Sequence, residues 1–267
     1  MTTTATDIPA AAVQGGAAAV VAPTTPAPSS DSGGLSPRTR TAIIVTPVAI
    51  TLVCLAMCVP PAGRRVYDWL TSENKPVEMA TFVVALAAAV LAVRIAFAVI
   101  RRAGARWAGV FYVLFALGMF FIGMEEISWG QQLFGWETPA DWGRANAQGE
   151  TTLHNLGPFQ GKNDILRFGF GFGGLVGVAL AALLPRVRIL FPHPALLTWF
   201  LIIAGVSAAQ VYVDLVPHGP LAGPLTKVGD RLAEVVEMLI SFAAVLYLWI
   251  NLRRVRRHTP ATSTANT

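Results

Sequence analysis

Residues Glu78 to Ile100 read EMATFVVALAAAVLAVRIAFAVI, and after the opening glutamate Arg94 is the only charge in the run. At about 1.5 Å of rise per residue a helix of this length crosses the roughly 30 Å hydrocarbon layer of a bilayer. It is too long and too evenly apolar for a strand or for a surface helix of a soluble domain. Working outward, five further runs of the same kind lie near Ala42 to Val59, Trp107 to Met124, Ile165 to Leu184, Ala195 to Val216 and Ala233 to Leu252. The expectation is an all-α, polytopic bundle of six transmembrane helices, because only helices satisfy their own backbone hydrogen bonds in lipid.

Composition agrees. The chain has 267 residues, 54% of them hydrophobic and 13% charged, whereas a soluble domain carries about 25% charged residues. A net charge of +5 raises nucleic acid as a partner, but the basic residues flank the apolar runs instead of forming one patch. Arg101, Arg102 and Arg106, and Arg253, Arg254, Arg256 and Arg257, are helix-end anchors against anionic lipid. Membrane lipids are therefore the expected partners, and nucleic acid is not. Cys54 and Cys58 lie in the first run, one helical turn apart, and imply no disulfide framework.

Domain organisation follows the same pattern. Residues 1–40 form a tail rich in Ala, Thr, Pro, Ser and Gly, expected to be disordered and cytoplasmic; residues 41–253 form the transmembrane domain; residues 254–267 form a basic and polar cytoplasmic tail. Segments carrying Arg38 and Arg40, Arg101 to Arg106, Arg186 and Arg188, and the arginines after Leu252 alternate with loops of mixed sign. The positive-inside rule then gives an N-in, C-in orientation. Arg94 lies within snorkelling reach of the inner interface. The longest connection, 125–164, is external, contains Trp129, Trp136 and Trp142, and has a Thr138-Pro139 pair suited to starting a short helix. Gly169, Gly173 and Gly177 recur every fourth residue and are expected to admit a close helix neighbour.

The carboxylates are one-sided. Beyond the N-terminal tail every one, from Asp68 to Glu237, falls in an external loop or in the outer part of a span, leaving the cytoplasmic half apolar inside and basic at its rim. Ionisable groups persist within a bilayer when they face a cavity, a partner or a pathway. On the sixth span Asp230, Glu234, Glu237 and Ser241 share one helical face. On the fifth, Ser207, Gln210 and Asp214 form a second stripe; on the third, Glu125, Ser128 and Gln132 share a face if the helix continues through Glu125-Glu126-Ile-Ser-Trp-Gly-Gln-Gln132. These stripes can enclose an external polar cavity.

Glu125, Glu126, His154, Asp214, Glu234 and Glu237 are the candidate catalytic residues, and Ser128, Trp129, Gln132, Asn155, Arg167 and Gln210 the candidate substrate-binding ones. His154 stands one turn from Glu150 if that stretch is helical, and suits a proton shuttle, a metal held with carboxylates, or a structural hydrogen bond. No diagnostic metal spacing, nucleophile elbow or phosphate loop is present, so the cofactor and any metal are unspecified.

The run Glu125 to Gln132 followed by Leu153-His154-Asn155, with Glu73 and Glu78 before the second span, resembles an uncharacterised group of bacterial multi-spanning membrane proteins; Asn74-Lys75 departs from the Asp-Gly expected there. The resemblance implies a multi-pass protein of the bacterial cytoplasmic membrane and brings no activity with it. Three functions follow from the residues: an enzyme acting on a lipid or lipid-linked substrate at the outer leaflet, with external Arg or Lys holding a phosphate; a proton- or cation-coupled transporter; or an accessory scaffold. An absence of internal repeats and an apolar inner half count against the transporter.

Overall fold

A computed structural model describes residues 34–72, 75–101, 106–146, 149–153, 156, 162–184, 188 and 190–257. Expectations placed on residues 1–33, on Glu73 and Asn74, on Arg102, on His154 and Asn155, on Arg186 and on the tail after Arg257 lie outside the described residues. The protein is all-helical, with no strand among the described residues. Its helices are α1 (Pro37–Met57), α2 (Pro61–Leu70), α3 (Pro76–Ile100), α4 (Arg106–Glu126), α5 (Gln131–Phe134), α6 (Ala140–Ala145), α7 (Asn163–Leu183), α8 (Leu197–Leu215) and α9 (Ala222–Arg257). Six of them, α1, α3, α4, α7, α8 and α9, are long and apolar enough to cross a membrane. They match the six runs read from the sequence, and the chain is a polytopic integral membrane protein.

Helix α9 is the centre of the bundle. It packs on α3 and α8, and less extensively on α1 and α7, while α3 pairs with α4 and α7 with α8. With hydrocarbon on every side, burial alone gives no reason for one helix to prefer another, so close approach of small residues decides the partners. Ala85, Ala88, Ala92 and Ala96 form such a stripe on α3, all buried. Opposite it, a Cβ on Gly123 of α4 would stand 3.4 Å from that of Ala85. Large apolar side chains such as Val83, Val90, Phe97, Leu114 and Leu117 are exposed on the outer faces of the same helices, where lipid is the solvent.

The glycines of α7 behave differently from expectation. A Cβ on Gly171 would lie 2.6 Å from the backbone nitrogen of Ala204, and one on Gly174 would enter the Phe200 ring, so these two admit α8. Gly177 meets Pro192, whereas nothing lies within 4 Å of a Cβ at Gly169 or Gly173. The four-residue spacing marks a helix face but does not say which face meets protein.

Helix α1 shows how a local sequence choice sets a tertiary contact. Pro47 has no N–H for the carbonyl four residues earlier, that of Ile43. The Trp199 indole N–H of α8 donates to this carbonyl at 2.7 Å, and the Thr198 hydroxyl donates to the next one, Ile44, at 2.8 Å.

The end of the bundle that holds the start of α1 and the end of α9 departs from the apolar interior read from the sequence. Asn251 of α9 donates to the Tyr112 hydroxyl of α4 at 3.0 Å, and Arg254 donates to Asn251 Oδ1 at 2.9 Å and to the Phe191 carbonyl at 3.1 Å. Arg254 is thus buried inside the bundle instead of sitting at the basic rim. Arg253, its neighbour, keeps the rim position with its guanidinium over the Trp249 ring. A single charge run on a helix necessarily points in several directions, and the central helix has no fully lipid-facing side to give them all.

At the opposite end, the amphipathic α2 is fastened to the early turns of α9. The Tyr67 hydroxyl donates to the Arg231 carbonyl, and Asp68 pairs with the Arg231 guanidinium. Burial holds the Tyr67 phenol well above its usual pKa, so it stays protonated and able to donate.

Candidate active site

The C-terminal end of α4 does not continue as a helix through Gln132. Ser128, Trp129 and Gly130 take positive φ values of 48°, 56° and 95° in succession, and the chain turns back before α5 begins. Positive φ is uncommon for a residue with a side chain and requires compensating contacts. Both side chains supply them: Ser128 Oγ donates to Glu150 Oε2 at 2.8 Å, and the Trp129 indole donates to Glu125. Glu125 also accepts from the Leu153 backbone N–H at 2.8 Å, so this buried carboxylate pins the long connection between α4 and α7 to the end of α4. Gln132 donates to Ser128 Oγ, a long contact at 3.4 Å, and Gln131 bridges Thr138 and the backbone of Thr151. The short helix expected after Thr138-Pro139 is α6. The stretch from Glu150 to Leu153 is not helical, so the spacing argued for Glu150 and His154 has no basis there.

Beneath this folded connection lies a cavity of about 950 Å³. Its walls come from the start of α3, the end of α4, the start of α7 and the early turns of α9, at the end of the bundle opposite the first residue of α1 and the last of α9. Among the described residues Glu78, Glu125, Glu126, Glu150, Glu234 and Glu237 line it, against one guanidinium, that of Arg167. Thr71 and Ser72, held in place by the anchored α2, close one side.

Arg167 is already engaged. Its Nε donates to Glu237 at 3.1 Å, a second nitrogen pairs with the same carboxylate, and a third donates to Asp164 at 2.8 Å. An Asp-x-x-Arg spacing puts Asp164 and Arg167 on one face of the first turns of α7 and was the available signal for this pairing. The expectation that such a residue is free to hold a phosphate therefore fails for Arg167. Glu126 is in the opposite situation: it has no hydrogen-bond partner among the described residues, and it stands near enough to Glu237, Glu234 and Glu78 to be repelled by each.

Four of the six candidate catalytic residues, Glu125, Glu126, Glu234 and Glu237, meet in this cavity. Asp214 does not. It is exposed at the C-terminal end of α8, and Gln210 on the same stripe donates weakly to Asp230, at 3.4 Å, while its side chain fills the space left by Gly229. Helix α8 packs on α1, α7 and α9 and contributes no residue to the cavity, so its polar stripe serves a different seam. Asp230 is exposed, and Ser241 and Ser207 are buried. Ser128, Trp129 and Gln132 build the cavity's roof instead of lining it, and His154 and Asn155 lie outside the described residues. Glu78, Thr71 and Ser72 are the lining residues that the helical-face reasoning missed, since an acidic residue at a helix start ordinarily needs no further explanation.

Among the described residues no group of three or more His, Cys, Asp or Glu side chains is arranged to hold a metal ion. The chain matches no protein-family model, no curated protein and no solved structure.

Proposed function

We propose that this protein is a membrane-embedded enzyme that acts by proton transfer on a lipid or lipid-linked substrate at the outer leaflet. The observation that carries this reading is the convergence of six carboxylates from three helices and the external connection on one cavity. Glu237, kept ionised by its pairing with Arg167, is the general base; Glu126, set among other carboxylates and without a hydrogen-bond partner among the described residues, carries the proton and is the acid. Glu125 positions the connection that roofs the site. The placement on the outer side rests on the basic residues that flank the opposite ends of the spans.

Comparative lipidomics tests the reading. A strain lacking the protein accumulates one lipid and loses another; the wild-type chain restores both pools, and chains carrying Glu126→Gln or Glu237→Gln, present in the membrane at equal amount, do not. Full restoration by both variants rejects the enzyme.

A carrier is the second reading, favoured by the buried Tyr112, Asn251 and Arg254 network at the other end of the bundle. It predicts that the lipid pools keep their composition while a cation or amphiphile redistributes across the membrane.

A further inference from the structure

We infer that the cleft between α4 and α7 seats the hydrocarbon chain of an amphiphile whose ammonium headgroup lies among the carboxylates of the cavity. This rests on the reading that the cavity is the functional site, and it names the substrate class. A second cavity, of about 360 Å³, adjoins the first, with Phe170 lining both. Phe111 and Phe115 of α4 form one wall, Gly169 and Gly173 of α7 the other, and Ala244 and Tyr247 of α9 the floor. Helices α4 and α7 make no extensive contact with each other, so the cleft is a gap in the bundle within the depth of the spans.

Three properties select a lipid chain. First, the missing side chains of Gly169 and Gly173 leave open space instead of admitting a helix, so at these positions glycine widens the cleft. Second, the cleft is closed at its inner end, where Pro192 meets Gly177 and the Tyr247 hydroxyl donates to the Leu190 carbonyl at 2.8 Å. From Arg167 to Gly177 the helical rise amounts to about 15 Å, half of a roughly 30 Å hydrocarbon layer and so the depth of one leaflet. Third, the head end is acidic. Six carboxylates face one guanidinium that Glu237 and Asp164 already occupy, which favours a cation and disfavours a phosphate or carboxylate head.

The test uses the full chain in nanodiscs of zwitterionic lipid, with a long-chain primary amine and the matching long-chain carboxylic acid, each bearing a photoactivatable diazirine in its chain. The amine is expected to label peptides of α4 and α7 that line the cleft, to be displaced by unlabelled amine, and to exceed the acid by about tenfold, equivalent to about 1.4 kcal/mol of preference. Gly173→Leu, which projects into open space, lowers that labelling several-fold while the protein still elutes as a monodisperse species. Labelling spread over the lipid-facing sides of the spans, equal labelling by the acid, or full labelling of folded Gly173→Leu overturns the proposal. Mapping and displacement on the wild-type chain decide the matter if the variant does not fold. Cleft labelling combined with full lipid-pool restoration by Glu126→Gln and Glu237→Gln leaves the amphiphile site standing and removes only the enzyme.

Discussion

Arg167 pairs with two carboxylates beside the acidic cavity, and removing it has a predictable cost. Its side chain is 13% exposed, and those of its partners Asp164 and Glu237 are 19% and 25% exposed. Breaking a buried ion pair by deleting one partner costs about 3–5 kcal/mol, because the other charge is left uncompensated. The residual exposure of this pair argues for the lower end, so Arg167→Gln is expected to destabilise by about 3 kcal/mol. Glu237→Gln removes the same two contacts from the other side but relieves repulsion with Glu126, so its cost is smaller, about 1–2 kcal/mol. The double variant then costs about the same as Arg167→Gln alone, an interaction energy on the order of 1–2 kcal/mol. Reversible unfolding in mixed micelles measures all four corners of the cycle. Strict additivity of the two changes, or a loss below about 0.5 kcal/mol for Arg167→Gln, refutes the reasoning.

Other perturbations separate structural from functional roles. Trp199→Phe leaves the Ile43 carbonyl without its indole donor and is expected to destabilise by about 1–3 kcal/mol in the same unfolding measurement, whereas Pro47→Ala combined with it recovers part of the loss. Gly171→Leu collides with the backbone of Ala204 and is expected to abolish folded protein on size exclusion, in contrast to Gly173→Leu. Trp129→Phe removes the donor to Glu125 while keeping an aromatic ring beside Phe121, and is expected to speed proteolysis of the external connection without disturbing the spans. The exposed Asp141–Arg144 pair is the control, and Asp141→Asn is expected to leave unfolding unchanged.

The fold was largely legible because a bilayer imposes one simple requirement, about 20 consecutive apolar residues per crossing, and the chain meets it six times. The cavity was legible in part. Helical spacing placed Glu234 and Glu237 on one face correctly, since α9 is regular through that stretch. The same reasoning could not extend to Ser128, because three consecutive residues of positive φ follow from contacts with Glu125 and Glu150 that are distant along the chain or formed only once the turn exists. Nor does periodicity say which neighbour a stripe meets. Asp214 and Gln210 form as good a stripe as Glu234 and Glu237, yet α8 packs on α1, α7 and α9 and makes no extensive contact with α3 or α4. The Tyr112, Asn251 and Arg254 network was hidden for a related reason: its members sit on two helices far apart in sequence, and Arg254 is embedded in a run of basic residues.

That the acidic cavity opens to the external side is tested most directly by cysteine accessibility in intact cells. In a chain whose Cys54 and Cys58 are replaced by Ala, Ser72→Cys reports the cavity mouth and Arg101→Cys the opposite end of the bundle. A membrane-impermeant maleimide is expected to modify Ser72→Cys in intact cells and to reach Arg101→Cys only after the membrane is opened. Modification of Arg101→Cys from outside, with Ser72→Cys protected until lysis, would turn the cavity toward the cytoplasm and contradict an action at the outer leaflet.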